Sequence, residues 1–253
     1  MWEAMNHPVW VFVVTLVALW LAARVGAEVR RRRGTMEEED REDFGLILTA
    51  TLTLLALITG FSFSMAISRY DQRKNYEEEE ANAIGTEYLR AELLPGENTA
   101  KVRELLKHYL DERVRFYNAR GGEELREINM RTAELQGQLW EAVKPPPGAS
   151  QSALTALAVA GMNDVLNTQG YTQAAWWNRI PRAAWGLMWS IAVCCNFMIG
   201  YYVRPANGHW VRLMVMPVVV AISFLLIADI DSPRGGIIRV LPQNLVTLQQ
   251  GMK

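Results

Sequence analysis

The fold of this chain is decided by residues 44–94, which read FGLILTATLTLLALITGFSFSMAI and then, without a turn signal, SRYDQRKNYEEEEANAIGTEYLRAELL. The first of these segments, residues 44–67, is uncharged and long enough to cross a bilayer, which takes about 20 apolar residues. The second is strongly charged, but its apolar residues recur at helical spacing and the first breaker is Pro95–Gly96. The sequence therefore predicts one long helix that leaves a membrane and continues to about Leu94.

Three other apolar segments complete the prediction of an all-α integral membrane protein with four transmembrane helices. The first covers residues 8–25, and the last two cover residues 183–203 and 211–228. The last two are joined by a short link, which predicts an antiparallel hairpin. The first is followed by a basic cluster and no small-residue cleavage site, which favours a retained helix over a signal peptide.

The segments beside these helices are charged or interfacial in composition. The loop of residues 26–43 contains Arg30–Arg33, which either act as a stop-transfer anchor or bind lipid headgroups. Residues 170–182 combine tryptophan and arginine around Pro181, a composition that predicts an interfacial segment.

Residues 229–253 form the predicted C-terminal tail, and charged groups cluster at its start. Asp229, Asp231 and Arg234 lie beside the flexible pair Gly235–Gly236. Charges at a membrane edge are by default a hypothesis of a functional site. A turn that ends the last helix explains them equally well, and the sequence leaves both interpretations open.

Residues 69–169 predict a soluble helical domain inserted between the second and third transmembrane helices. Its helices are separated by glycine and proline breakers, and their broad apolar faces require a partner face in this domain or in another subunit. The run Glu77–Glu80 is interpreted as a solvated helix face. Carboxylates one turn apart can also ligate a divalent cation, but no metal-binding motif accompanies them.

The composition excludes several classes of function. Half of the 253 residues are hydrophobic and they are segregated into blocks, as in membrane proteins. The net charge of -1 lacks the basic excess typical of nucleic-acid binding. Cys194 and Cys195 are adjacent and the three histidines are scattered, so no disulfide framework, metal site or cofactor is expected. Because no nucleophile–base pair or phosphate-binding loop is visible, enzymatic activity is not expected either.

The second transmembrane helix carries a row of small and hydroxyl side chains on one face. Such a row either lines a water-filled path or lets another helix pack closely in lipid. Three bulky apolar residues near the end of the span can form a constriction that gates by dewetting, or can simply face lipid or the core. The pore-lining candidates are Thr49, Thr53, Ala56, Gly60 and Ser64, and the constriction candidates are Phe61, Phe63 and Met65.

These segments together resemble the bestrophin-like family of bacterial and plant membrane proteins. The resemblance covers most of the chain and is most specific in four places: at the start of the charged half of the long helix, in the run EANAIG, at the LP break, and in DSPRGGIIRV near the C-terminus. The residues that carry it are Arg69, Glu80, Asn82, Gly85, Pro95, Asp231 and Gly236.

The resemblance implies similarity to the bestrophin anion channels. Those are pentamers of four-span subunits, whose second span lines the pore, narrows at apolar side chains and continues into a cytosolic helical domain. It therefore implies a homo-oligomer, a pentamer, that conducts an inorganic anion across a bacterial inner membrane. The acidic calcium-binding cluster that follows the last span of animal bestrophins is missing here, with only Asp229 and Asp231 nearby, so calcium gating is not expected.

Two questions remain open at the level of sequence. The arginines are nearly balanced between the two sides of the membrane. The cluster in the first loop favours a cytoplasmic loop, whereas the resemblance places the helical domain and both termini in the cytoplasm, which is the prediction retained. The function predicted is an ion channel lined by the second helix. The alternative is a non-conducting membrane scaffold or sensor whose helical domain binds a protein partner.

Overall fold

The computed structural model describes residues 7–34, 37–94, 96, 98–145, 152–203 and 209–252. Within these ranges every regular element is helical, with one turn of 3-10 helix at Ala91–Leu93. Pro95, one of the residues that carry the family resemblance, lies outside the described residues. The α-helices are α1 (Pro8–Arg33), α2 (Glu38–Arg90), α3 (Asn98–Asn118), α4 (Gly122–Val143), α5 (Ala153–Trp177), α6 (Arg182–Tyr202), α7 (His209–Asp231) and α8 (Gln243–Gly251).

Four helical stretches within the described residues are long and apolar enough to cross a membrane: Pro8–Arg33, Glu38–Leu93, Ala153–Tyr202 and Val211–Asp231. The third of them includes both α5 and α6. The helix α2 runs for 53 residues through both its apolar and its charged half. No proline occurs between its ends, and Glu38, Glu39 and Asp40 fill its first turn, where they favour the positive end of the helix dipole.

The chain divides into two compact units, and the first unit comprises Met1–Ser68 and Arg179–Ile238. In this unit α1 packs along α6 and α7. The backbones of α1 and α6 approach very closely: a Cβ atom on Gly200 would lie 1.9 Å from the Ala23 carbonyl oxygen, and one on Gly26 would lie 2.0 Å from that of Phe197. Small residues at the contact of two apolar helices allow this approach.

The apolar half of α2 is covered much less than the other helices of the first unit. Only 11% of its most apolar window is buried, against 50% for α7. The buried residues of this half are Leu48, Leu55, Ser62 and Ala66, which recur at intervals of seven and four. They therefore form a narrow strip on one side of the helix, and the other side is left open.

The second unit comprises Arg69–Asn178 and Arg239–Lys253, and it holds the charged half of α2 with α3, α4, α5 and α8. Its core is built from the apolar faces of these helices, with Leu106, Ile128 and Leu139 fully buried. The glycine and proline breakers lie where the sequence predicts them, at the ends of α3 and α4. Part of the predicted C-terminal tail is helical, because α8 packs into this unit and buries Leu245.

The structure differs from the predicted interfacial segment at residues 170–182. Its first eight residues continue α5 to Trp177, and Trp176 is only 5% exposed. The Trp176 ring packs edge-on against Phe116 and Tyr117, with centroids 5.1 and 5.4 Å apart. These contacts explain why an aromatic residue next to arginines lies in a core here rather than at an interface.

Candidate functional site

The row of small and hydroxyl residues on α2 lies on the open side of the helix. All five pore-lining candidates are exposed. At about 100° per residue, the row is centred more than a third of a turn from the buried strip of Leu48, Leu55, Ser62 and Ala66. Its members Ala56 and Gly60 also line the groove between α2 and α7. The side chains predicted to line a path are therefore available to a second copy, to lipid or to water.

Hydrogen bonds within the helix already satisfy the threonine hydroxyl groups of this region. Thr49 donates to the carbonyl oxygen of Gly45 at 2.8 Å, Thr51 to that of Ile47 at 2.7 Å and Thr53 to that of Thr49 at 2.9 Å. A threonine whose donor is used in this way can face either an apolar surface or water. The geometry is therefore compatible with both interpretations of the row.

The three constriction candidates do not share one side of α2. Phe61, Phe63 and Met65 are 65%, 38% and 42% exposed. Because four residues make slightly more than one turn, Phe61 and Met65 project together, with Leu57 one turn before them. Phe63 projects to the opposite side, where it lines an apolar groove of about 440 Å³ between α2 and α7. Ala56 and Gly60 of the row line the same groove, so the constriction candidates flank the row, with Phe63 on one side of it and Phe61 and Met65 on the other.

A buried ion pair lies at the centre of the second unit. The Arg113 guanidinium donates to the Glu80 carboxylate, and the side chains of both residues are fully buried. The Glu80 carboxylate also accepts hydrogen bonds from Tyr117 at 3.3 Å and Thr172 at 3.2 Å. Burial by itself lowers the pKa of Arg113, but the Glu80 carboxylate and nearby tyrosines outweigh it, and the net shift is upward. The Arg113 guanidinium therefore stays charged, and the pair joins α2, α3 and α5.

Two further charged residues of α2 hold the ends of other helices in this unit. Glu77 accepts hydrogen bonds from the Asn244 side chain at 2.7 Å and the Leu245 backbone N–H at 3.0 Å, at the start of α8. Arg73 donates to the carbonyl oxygens of Ala175 and Asn178 at the end of α5, at 3.3 and 3.4 Å. Both contacts follow the helix dipole, which favours a carboxylate at an N-terminus and a guanidinium at a C-terminus.

The interpretation of Glu77–Glu80 as a solvated helix face is thus wrong for the two residues at its ends. Glu77 is 1% exposed and Glu80 is fully buried, whereas Glu78 and Glu79 between them are exposed. The reason is the partner set, since each buried carboxylate is satisfied by groups at least 33 residues away in the chain. The spacing of three and four residues was the signal available in the sequence, because Arg73, Glu77, Glu80 and Ile84 fall on one helix face.

Glu87 continues this face but has no hydrogen-bond partner. Its side chain is fully buried, and neither carboxylate oxygen has a hydrogen bond. Burial raises the pKa of Glu87 to about 8, while Arg90 lowers it and Asp164 raises it. A Cβ atom on Gly161 of α5 would lie 2.1 Å from a Glu87 oxygen, so a larger residue there would require the Glu87 side chain to move. No pattern in the local sequence predicts that Glu87 is buried, because its surroundings come from α5.

Glu87→Gln is expected to stabilise the protein at pH 8 and to lose most of that advantage by pH 5. Between about pH 4.5 and pH 8, Glu87 is protonated in the folded state but ionised in the unfolded chain, where its pKa is the ordinary 4.5. Stability therefore falls as pH rises from about 4.5 to about 8, by at most about 1.4 kcal/mol per pH unit. Thermal unfolding midpoints of both proteins between pH 5 and 8 measure this, with Glu123→Gln, on an exposed side chain, as the control. A difference that does not change with pH would contradict the expectation.

Two aspartates at the C-terminal end of α7 accept hydrogen bonds from backbone N–H groups. Asp229 accepts hydrogen bonds from the N–H groups of Ile237 and Ile238, both at 2.8 Å. Asp231 accepts from the N–H of Ile180, at 3.0 and 3.2 Å. A Cβ atom on Gly236 would lie 2.4 Å from the Asp229 carbonyl oxygen. This arrangement supports the interpretation of the segment as a turn that ends the helix.

The remaining residues that carry the resemblance are placed as follows. Arg69 is half-buried at the start of the second unit, and Asn82 is exposed on α2. Gly85 faces Leu248 of α8, whose Cδ1 would lie 3.0 Å from an added Cβ atom. Within the described ranges, no three His, Cys, Asp or Glu side chains come together as a set that could hold a metal ion.

Comparison with known proteins decides the family. The model of the Bestrophin-like domain matches residues 9–245. The chain belongs to the bestrophin-like family. A comparison with curated proteins gives no match.

Solved structures similar to this bestrophin-like chain show the same fold. One is a crystal structure of a bacterial bestrophin homolog from Klebsiella pneumoniae, a leucine-to-threonine variant, with 12% identity, 97% of each chain covered and a TM-score of 0.66. Another, of the homolog solved by Zn-SAD phasing, has 15% identity, 96% of each chain covered and a TM-score of 0.59. The bestrophin-like fold and the four apolar helices indicate an integral membrane protein.

Proposed function

We propose that the chain forms a closed oligomer, a pentamer by resemblance, that conducts inorganic anions through a pore lined by α2. The observation that carries this proposal is the exposure of α2, whose most apolar window is only 11% buried within its own chain. A helix that its own subunit leaves open is free to pack against copies of itself. The bestrophin plan, in which second spans surround a pore, supports the same arrangement.

The open side of α2 offers two adjacent surfaces for this pore. The row that contains Thr53 and Gly60 lines the path in our proposal, and the ridge of Leu57, Phe61 and Met65 narrows it. Phe63 lies on the other side of the row, in the groove that Ala56 and Gly60 also line, and our proposal leaves it out of the constriction. The anion preference rests on the resemblance alone, because the carboxylates beside Arg69 and Arg73 roughly cancel their charge.

Cysteine accessibility tests the assignment of the pore surface. We expect a thiol reagent to block chloride flux in proteoliposomes when cysteine replaces Thr53, Gly60 or Phe61, but not when it replaces buried Leu48 or Leu55. Cys194 and Cys195 are first replaced by serine to give a silent background. If the reagent blocks flux only through cysteine at Phe61, the ridge rather than the row lines the pore. The absence of chloride flux in the unmodified protein would contradict the channel itself.

The oligomeric state is an independent requirement of the pore. Native mass spectrometry or light scattering of the solubilised protein is expected to give a closed ring, and five copies if the resemblance holds. A monomer or a simple dimer would leave no central path between copies of α2. In that case the proposal would fail before any flux was measured.

The second candidate function is a non-conducting membrane scaffold or sensor. It is favoured by apolar side chains on the second unit that its own core does not cover, such as Leu89 at 67%, Met130 at 66% and Leu154 at 57% exposed. This function predicts a stoichiometric protein partner that co-purifies and protects these residues. We place the second unit in the cytoplasm, beneath a bacterial inner membrane. Protease protection in sealed inner-membrane vesicles tests that orientation.

A further inference from the structure

The first unit contains a groove of about 750 Å³ beside the polar end of α1. One wall is aliphatic and includes Leu21 and Val25, whose side chains are 49% and 54% exposed. Among the described residues, the same groove is lined by the three arginines Arg24, Arg31 and Arg32 and by one carboxylate, Glu28. The groove thus joins an apolar surface to a positive excess of two charges, and its lining lies entirely within the first unit.

The arginines are spread along the membrane normal rather than gathered at one level. Arg24 lies seven residues before Arg31, which is about 10 Å along a helix. Glu28 lies between them and pairs with Arg31 and Arg32, each at 2.9 Å. These two guanidinium groups remain 74% and 78% exposed, and a second anion can therefore reach them. Exposed pairs of this kind hold their partners weakly, so a phosphate can compete with Glu28.

We propose that this groove binds one anionic glycerophospholipid. Its phosphate and charged headgroup lie on Arg31 and Arg32, and an acyl chain lies along Leu21 and Val25. The apolar part of α1 crosses the hydrocarbon region and ends near Arg24, which brings the last turn to the level of lipid phosphates. Guanidinium groups bind phosphate in a bidentate manner, and a net negative headgroup is favoured over a zwitterionic one by the excess of positive charge.

The other two arginines of the cluster provide the contrast with a simple stop-transfer anchor. Arg30 and Arg33 belong to the same last turn but do not line the groove. Arg30 instead lies over the Tyr201 ring, with its Cζ atom 5.7 Å from the centroid. A diffuse electrostatic anchor uses the four arginines alike. Binding of one lipid in the groove instead depends on Arg31 and Arg32, and replacing Arg30 and Arg33 should change the lipid affinity little.

The test compares two double variants of the full chain that lose the same charge. Retention of phosphatidylglycerol is measured by native mass spectrometry after release from detergent. We expect Arg31→Gln with Arg32→Gln to weaken binding at least tenfold, and Arg30→Gln with Arg33→Gln to change it less than twofold. Glu28→Gln removes the competing carboxylate and is expected to strengthen binding. Unchanged thermal midpoints show that the variants remain folded.

Three outcomes would overturn the proposal. Equal weakening by the two double variants would assign the effect to diffuse charge. Equal retention of phosphatidylcholine and phosphatidylglycerol would show that the headgroup is not selected. Displacement of the bound lipid by millimolar inorganic phosphate or glycerol phosphate would show that the arginines bind a free phosphate and that the aliphatic wall contributes nothing.

Discussion

Arg113→Met is expected to lower the free energy of unfolding of the second unit by about 3–5 kcal/mol. The Arg113 and Glu80 side chains are both fully buried, so methionine would leave the Glu80 carboxyl group in the core without its cation. Tyr117 and Thr172 would still donate to it, but two neutral hydrogen bonds do not replace a charge. Hydrogen–deuterium exchange of peptides from α3 and α5 measures the loss within this unit.

Two control variants separate the buried pair from charge loss in general. Arg126→Met removes an arginine of α4 whose pair with Glu123 is 77% and 82% exposed, and it is expected to cost less than about 1 kcal/mol. Glu80→Gln combined with Arg113→Met removes both charges and should recover a large part of the loss. If Arg113→Met cost no more than Arg126→Met, the pair would not be a stabilising element of this unit.

Gly200→Val is expected to destabilise the first unit by at least about 3 kcal/mol or to prevent its assembly. Even the first side-chain atom would lie 1.9 Å from the Ala23 carbonyl oxygen and 2.7 Å from its carbon. The obstructing atoms are backbone, so no change of rotamer on α1 relieves the contact, and the two helices must separate. Overpacking ordinarily costs about 1–3 kcal/mol where side chains can adjust. The fraction of folded protein after detergent extraction, measured by size exclusion against temperature, reports the effect.

Gly186 offers a matched control in the same helix. A Cβ atom there meets no other atom within 4 Å, so Gly186→Ala is expected to be neutral or to stabilise α6 by up to about 1 kcal/mol. Gly200→Ala already introduces the clash and should be clearly worse than Gly186→Ala. Equal stability of these two alanine variants would contradict the close approach of α1 and α6.

The membrane architecture could be predicted from the sequence because its signals are local. An apolar block of about 20 residues has few stable alternatives to a spanning helix, and α2 could be followed to Arg90 because no breaker interrupts it. The row from Thr49 to Ser64 lies on the open side of the helix, as one face at helical spacing should. The predicted constriction rests on the composition of the segment alone. At helical spacing, Phe63 projects to a different side of α2 from Phe61 and Met65.

The sequence by itself determined the number of apolar helices and the unbroken passage of α2 from its apolar to its charged half, because each depends on residues within a few turns of one another. It did not determine the start of α2, which lies at Glu38, inside the predicted loop of residues 26–43. Only the tertiary structure decided which charged residues of α2 are buried. Glu80 and Glu79 are neighbours of the same chemical type, yet one lies in the core and the other in solvent. Glu80 is buried because Arg113 and Thr172, which lie 33 and 92 residues after it in the chain, donate hydrogen bonds to its carboxylate. A buried charge needs its partner in space, and local sequence does not contain that partner.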